Sequence, residues 1–100
     1  MNAIEPGCGP DLSVVMPLFR EAAHLRHTVG EVAGALDGLD LSVELLLVDD
    51  GSPDETWAVI GELSRKHADA GTLTVRGLRL SRNFGKEAAL AAGLEHARGR

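Results

Sequence analysis

The chain has 100 residues, of which 44% are hydrophobic and 25% charged, and this indicates one small globular domain, or part of one, rather than a disordered segment. Its formal net charge of −5 argues against a nucleic-acid-coating surface, and no apolar run approaches the roughly 18 residues that span a bilayer. With Cys8 as its single cysteine, the chain has neither a disulfide framework nor a cysteine metal site.

The first eleven residues differ in character from the rest of the chain. Residues 1–11 are rich in glycine and proline, and we expect a flexible leader there, followed by one folded region over residues 12–100. The leader has neither the basic nor the hydrophobic segment of a secretory signal, so the sequence predicts a cytoplasmic location.

Charge is distributed unevenly along the chain. Residues 1–75 hold thirteen acidic and four basic side chains, whereas residues 76–100 hold two acidic and six basic ones. Such a local basic excess is either a solvated face or a surface that receives an anionic group. We expect no nucleic acid partner.

Strand and helix patterns alternate from residue 12 onward. Residues 12–16 and 43–48 are nearly continuous apolar runs, typical of buried parallel strands, and Pro17 is expected to end the first. Between them, apolar side chains recur at helical spacing from Glu21 until Asp37-Gly38 ends the segment. The separation of the two runs is typical of a strand–helix–strand crossover.

The residues after the second run predict the start of a helix. Ser52 is a capping serine, Pro53 suits the first helical position and Glu55 the third, which together form a capping box. We expect the helix to begin there and to fade around Ala70-Gly71. Its buried stripe is expected to consist of Trp57, Ile60 and Leu63.

A third strand–helix unit completes the pattern. Residues 73–80 alternate as a strand whose phase changes at Gly77, which predicts a β-bulge. Residues 83–85 then lead into an alanine-rich helix that ends near Gly99. Three strand–helix units in succession predict an α/β domain with a Rossmann-like parallel sheet and right-handed crossovers.

In such a sheet, ligands bind beyond the carboxyl ends of the strands. Asp49 and Asp50 follow the second strand, and because two adjacent carboxylates cannot both face the core, at least one faces the crevice. We expect Asp50 to accept the imino or amino hydrogens of a nucleobase there. A helix-capping role is the alternative, and it suits Asp49 better. Two aspartates without further ligands do not define a metal site.

The other two strand ends suit the remaining parts of a nucleotide. Pro17 and Phe19 offer a rigid apolar wall for a base or ribose, although a core role for Phe19 is the alternative. Glu21 lies beside them, or complements the helix dipole. Arg82 and Lys86 flank a helix N-terminus that favours an anion such as a diphosphate, the alternative being solvated cations.

Taken in order, three segments resemble the polyprenyl-phosphate sugar transferases of glycosyltransferase family 2. These are residues 15–21, 48–56 and 80–89, and their order and spacing make the likeness specific. The resemblance implies the N-terminal half of a GT-A domain that binds a UDP- or GDP-sugar. It also implies that Pro17, Phe19 and Glu21 line the base and ribose, that Val48 borders the base, that Asp50 hydrogen-bonds it, and that Arg82 and Lys86 face the diphosphate.

The chain departs from this family in two respects. The family usually has Tyr-Asn where this chain has Phe19-Arg20, so a phenolic hydroxyl is missing. Family members also continue into a strand that ends in Asp-x-Asp, which holds Mg²⁺ or Mn²⁺ on the donor diphosphate, and this sequence has no Asp-x-Asp. We therefore expect this chain alone to bind a nucleotide without catalysing sugar transfer. We assign no residue of the chain as catalytic. The intact protein is expected to pass a hexose to a polyprenyl phosphate at the cytosolic face of a membrane.

Two other functions stay open. A non-catalytic nucleotide-binding module has the same site without the transfer step. A phosphorelay receiver is suggested by the acidic pair after a strand, but no later strand supplies the lysine and phospho-acceptor arrangement. The histidines show no pairing with a carboxylate or nucleophile that indicates a catalytic triad.

Overall fold

A computed structural model describes residues 10–67 and 73–97, in which strands and helices alternate. The elements are β1 (Leu12–Leu18), α1 (Ala22–Leu36), β2 (Val43–Asp49), α2 (Thr56–Lys66), β3 (Leu73–Arg79) and α3 (Lys86–His96). Residues 1–9 of the expected leader lie outside the described residues, as do the expected helix ends near Ala70-Gly71 and Gly99.

The three strands form one parallel sheet in the order β1-β2-β3. The registers are continuous, with Leu12 beside Val43 and Val43 beside Leu73 at the amino ends. Every residue of β2 is buried, because this strand has a neighbour on each side and helices on each face, which explains its continuous apolar sequence. The prediction of a Rossmann-like α/β arrangement of three βα units is confirmed.

Two hydrophobic layers cover opposite faces of the sheet. The larger one joins α1 and α2 to β2 through buried side chains that include Leu25, Val29, Leu45, Leu47 and Ile60. The smaller one lies under α3 and contains Leu46, Val48 and Ala89, with Val15, Leu78 and Leu80 packed against them. Alternate residues of β2 therefore face different helices. The predicted stripe of α2 is confirmed for Ile60 and Leu63, which are buried, while Trp57 is half-buried against the same layer.

The expectation that β1 ends before Pro17 is wrong, because Pro17 lies within the strand beside Val48. The Asp50 N–H donates to the Leu18 carbonyl at 2.8 Å, and peptide groups along a strand alternate in direction. The nitrogen of Pro17 therefore faces away from β2, where proline removes no hydrogen bond from the ladder.

The predicted bulge at Gly77 is also wrong. Gly77 pairs with Leu47 in an unbroken register. The change of phase has another cause, since Leu73 and Val75 belong to the layer under α1 and α2, whereas Leu78 belongs to the layer under α3. Gly77 is small because α2 approaches closely there: a Cβ on this residue would stand 2.5 Å from Ile60 Cγ2.

The predicted capping box does not form. Helix α2 begins at Thr56, and Glu55 at the N-cap makes no side-chain capping hydrogen bond. The N–H of Thr56 instead donates to Asp54 Oδ1 at 3.0 Å. The Thr56 hydroxyl donates to the same oxygen and lowers the pKa of Asp54 below its ordinary value. Ser52 lies four residues before α2, and its hydroxyl accepts the backbone N–H of Arg20 at 2.9 Å.

Two helical glycines allow a test of how tightly α3 packs on the sheet. A Cβ on Gly93 would overlap Val15 Cγ1 and lie 3.1 Å from Val48 Cγ2, whereas a Cβ on Gly30 would meet nothing within 4 Å. We expect Gly93→Ala to lower the free energy of unfolding by about 1–3 kcal/mol through overpacking. Gly30→Ala should raise it by about 1 kcal/mol through helix propensity alone. Urea denaturation of both variants measures this, and equal effects would show that α3 is not tightly packed.

Candidate functional site

Three loops meet at the carboxyl edge of the sheet, where an open cavity of about 240 Å³ lies. The first follows β1, the second is the turn after β2, and the third connects β3 to α3. The cavity is lined by Pro17, Leu18, Phe19, Glu21, Asp50 and Lys86. Five of the eight site residues predicted from the sequence thus lie together, since Pro17, Phe19, Glu21, Asp50 and Lys86 all belong to this wall.

The carboxylate of Asp50 joins the second loop to the third. Its Oδ1 accepts the N–H of Phe84 at 2.9 Å and its Oδ2 accepts the N–H of Gly85 at 3.1 Å. Asp50 is 4% exposed. Because each carboxylate oxygen has a second lone pair, Asp50 retains acceptor capacity for a ligand donor.

The protein's own carboxylate therefore occupies part of the helix N-terminus that we assigned to a diphosphate. Asp50 takes the N–H groups of Phe84 and Gly85, where the dipole of α3 favours a negative charge. Lys86, the first residue of α3, is exposed and lines the cavity. The wall therefore contains two carboxylates and one ammonium group, a combination that suits a ligand with several hydrogen-bond donors and an anionic portion.

Asp49 has a different environment from its neighbour. Its Oδ1 accepts the N–H of Ser52 at 2.9 Å, which stabilises the turn before α2. Its Oδ2 is buried without a hydrogen-bond partner and lies 3.7 Å from Nε of Arg79. Asp49 is fully buried and does not line the cavity, and its hydrogen bond stabilises the turn at Ser52 without capping α2, which begins at Thr56.

Two hydroxyl groups connect the first loop to the second. Ser52 Oγ accepts the N–H of Arg20 at 2.9 Å, and Thr56 Oγ1 accepts the N–H of Glu21 at 3.0 Å. These bonds fix the two peptide groups between Phe19 and Glu21 relative to the segment that follows β2. Sequence analysis did not predict this role of Ser52 and Thr56. The available signal was the presence of two hydroxyl side chains, four residues apart, in the segment that follows a strand end.

Cationic side chains stack on both exposed phenylalanines of this edge. The guanidinium carbon of Arg20 lies 5.3 Å from the centroid of the Phe19 ring, and that of Arg82 lies 4.9 Å from the Phe84 ring. Phe19 lines the cavity, whereas Arg82 is not among its lining residues. Of the two cations predicted to face a diphosphate, Lys86 therefore lines the cavity and Arg82 does not.

Val48 does not lie where sequence analysis placed it. Its side chain is fully buried in the layer under α3, and Val48 is not among the lining residues of the cavity. The physical reason is the close approach of α3, because a Cβ on Gly93 would stand 3.1 Å from Val48 Cγ2. In this arrangement Val48 packs beneath α3, outside the wall of the cavity.

Two further depressions lie outside this cavity. One of about 440 Å³ lies between α1 and α2 and includes Arg26 and Glu62. These two side chains form an exposed ion pair at 2.8 Å, in which their hydrogen bond raises the pKa of Arg26 and lowers that of Glu62. The other, of about 360 Å³, is lined by Gly51, Arg79, Leu80 and Ser81.

The acidic pair does not form a metal site. Within residues 10–67 and 73–97, no three His, Cys, Asp or Glu side chains are grouped so that they hold a metal ion. Asp49 and Asp50 point to opposite faces of β2, and each already binds backbone N–H groups. The described residues therefore do not fit the Mg²⁺ or Mn²⁺ that the resemblance implies.

Comparison with known proteins identifies the class to which this chain belongs. Residues 13–100 match glycosyl transferase family 2, and because the match covers most of the chain, the chain is a member of that family. This confirms the resemblance drawn from its three loop motifs. Among the described residues, no helix is long and apolar enough to cross a membrane.

Several relatives with assigned names are similar to this chain. It is 41% identical over 90 residues to a dodecaprenyl-phosphate galacturonate synthase of Rhizobium johnstonii. It is 39% identical over 88 residues to an undecaprenyl-phosphate 4-deoxy-4-formamido-L-arabinose transferase of Aeromonas hydrophila, and 34% identical over 89 residues to an uncharacterized glycosyltransferase of Synechocystis. These alignments cover 88–90% of this chain but only 25–26% of the relatives, so the chain spans about a quarter of their length.

The close approach of the second and third loops can be tested at Gly51. Its φ is +70°, and a Cβ there would overlap the backbone of Arg82 and Asn83, whereas Gly38 has φ +84° with open space around it. Alanine at either position lowers the free energy of unfolding by about 1–2 kcal/mol, because it must adopt a left-handed backbone conformation. We expect Gly51→Ala to destabilise the fold more than Gly38→Ala and to speed amide exchange at Phe84 and Gly85. Equal losses of stability with unchanged exchange would contradict the packing described.

Proposed function

We propose that this chain is the nucleotide-binding portion of a glycosyltransferase that transfers a hexose from a UDP- or GDP-sugar to a polyprenyl phosphate. The observation on which the proposal depends is the cavity that combines Phe19, Glu21, Asp50 and Lys86 at the carboxyl edge of the sheet. Membership of glycosyl transferase family 2 supports a sugar donor. The names of two relatives, which include dodecaprenyl and undecaprenyl phosphate, support the acceptor class.

We propose a separate role for each part of the wall in holding a nucleotide. Pro17 and Phe19 provide an apolar surface on which the base rests by stacking. Asp50 and Glu21 accept hydrogen bonds from N–H groups of the base and from ribose hydroxyls. Lys86 lies at the start of α3, where its charge attracts the phosphate nearest to the ribose.

The remaining parts of the reaction fall outside these residues. We assign no catalytic group within the described part of the chain, and we propose no metal role for Asp49 or Asp50. A divalent cation, Mg²⁺ or Mn²⁺, belongs to our proposal only for the intact enzyme, where it would screen the departing diphosphate. Because a polyprenyl phosphate is a membrane lipid, we propose that the intact enzyme acts at the cytosolic face of a membrane.

The proposal is tested by titrating UDP and GDP into the chain and its variants in a calorimeter. Glu21→Gln removes a charged acceptor from the wall while leaving the backbone N–H of residue 21 bound to Thr56. Loss of a hydrogen bond to a charged group is worth about 1.5–3 kcal/mol, so we expect roughly tenfold weaker binding or more. Glu31→Gln, an exposed change on α1, is the matched control and should bind as the parent chain does.

Asp50→Ala is the second variant of this test. It removes the acceptor for the base and also the acceptor for two backbone N–H groups, so we expect weaker nucleotide binding and lower stability together. Unchanged affinity in Asp50→Ala would show that Asp50 makes no contact with the base. Absence of UDP and GDP binding by the parent chain would overturn the proposed function.

A further inference from the structure

Arg20 has a backbone conformation that its side chain does not favour. Among the described residues, it is the non-glycine residue with positive φ, at 58°. For an L-residue other than asparagine, aspartate or glycine, this left-handed region is disfavoured by contact of Cβ with the backbone. The strain lies directly beside Phe19, which lines the nucleotide cavity.

The surroundings of Arg20 hold this conformation in place. Its N–H donates to Ser52 Oγ at 2.9 Å, and the N–H of the next residue, Glu21, donates to Thr56 Oγ1 at 3.0 Å. Both acceptors belong to the segment between β2 and α2, so the two bonds fix the peptide planes around Arg20. Backbone strain of this kind persists only where neighbouring structure determines it, and it is concentrated at functional sites.

The side chain of Arg20 is directed by the same conformation. Its guanidinium carbon lies 5.3 Å from the centroid of the Phe19 ring, within the range of a cation–π contact. In the part of the chain that the structure describes, the ion pairs found do not include Arg20. The contact between the Arg20 guanidinium and the Phe19 ring is therefore the interaction that we attribute to the strained backbone.

We infer that Arg20 is a positioning residue, which orients the Phe19 ring as the wall on which the nucleobase stacks and does so at the expense of fold stability. The inference rests on the proposed function, because it needs a nucleotide in the cavity. It assigns to Arg20 an effect through Phe19 and no contact with phosphate, in agreement with its absence from the lining residues.

The test uses Arg20→Asn, which changes stability and binding in opposite directions. Asparagine tolerates positive φ, so the midpoint of urea denaturation should rise. Loss of the stacked guanidinium should weaken binding of UDP or GDP by about two- to fivefold, the scale of an exposed cation–π contact. A residue with a purely structural role would not combine higher stability with weaker binding.

Three controls distinguish an effect of Arg20 through the Phe19 ring from a direct contact between Arg20 and phosphate. Uridine and guanosine, which have no phosphate, should lose affinity by the same factor as the diphosphates, because the effect passes through the stacking wall. In a Phe19→Leu background, Arg20→Asn should not weaken binding further, since the ring on which it acts is gone. Arg20→Lys, which keeps a cation over the ring but loses the planar group, should bind more weakly than the parent chain and more tightly than Arg20→Asn.

The outcomes are decisive in each direction. Equal affinity of Arg20→Asn and the parent chain overturns the inference while leaving the proposed function intact. A loss confined to the diphosphates also overturns it, because Arg20 would then contact phosphate directly. A lower denaturation midpoint shows that the backbone of Arg20 is not strained and overturns it as well. If the parent chain binds neither nucleotide, both the inference and the proposed function are wrong.

Discussion

The two hydrogen bonds from Phe84 and Gly85 to the carboxylate of Asp50 determine where α3 begins and hence whether the cavity exists. Asp50 directly follows the central strand, and its own N–H donates to Leu18 of β1 at 2.8 Å. Its position is therefore fixed by the sheet. A buried carboxylate is unfavourable without donors, and the start of a helix supplies donors together with a favourable dipole. The hydrogen bonds that offset the cost of burying the Asp50 carboxylate thus also attach the third loop to the second.

The same face of β2 holds the other end of α3. Glu44 is 3% exposed, and its Oε2 binds Nη1 of Arg76 at 2.6 Å. Arg76 also donates to the carbonyl of His96 at the end of the helix, at 3.0 Å. Two apolar residues of β2 separate Glu44 from Asp50 on this face and pack under the middle of α3. A shift of the helix along the strand would break polar contacts at both ends, so the helix register is fixed by charge as well as by packing.

Local patterns predicted the elements and the three strand-end loops, and they failed where a partner lies far away in sequence. Ser52 has the pattern of a helix cap, but its hydroxyl bonds the N–H of Arg20, 32 residues earlier. The phase change at Gly77 was interpreted as a bulge because a single strand does not show that helices cover both faces of the sheet. Five of the eight predicted site residues line the cavity because their place is set by strand ends. Val48 lies outside the cavity wall because α3 packs closely over it, at a distance set by Gly93.

The adjacent aspartates illustrate how one sequence motif serves two different purposes. Because side chains alternate along a strand, Asp49 turns toward α1 and α2 and Asp50 toward α3. Asp49 fixes the turn through Ser52, and its second oxygen has Arg79 as the nearest cation at 3.7 Å. Asp50 fixes the third loop and forms part of the cavity wall. Their carboxylates cannot converge on one cation without breaking the backbone hydrogen bonds that define both loops. The acidic pair therefore specifies a turn through Asp49 and a hydrogen-bond acceptor in the cavity wall through Asp50, and the second of these is the acceptor that we propose for a nucleobase.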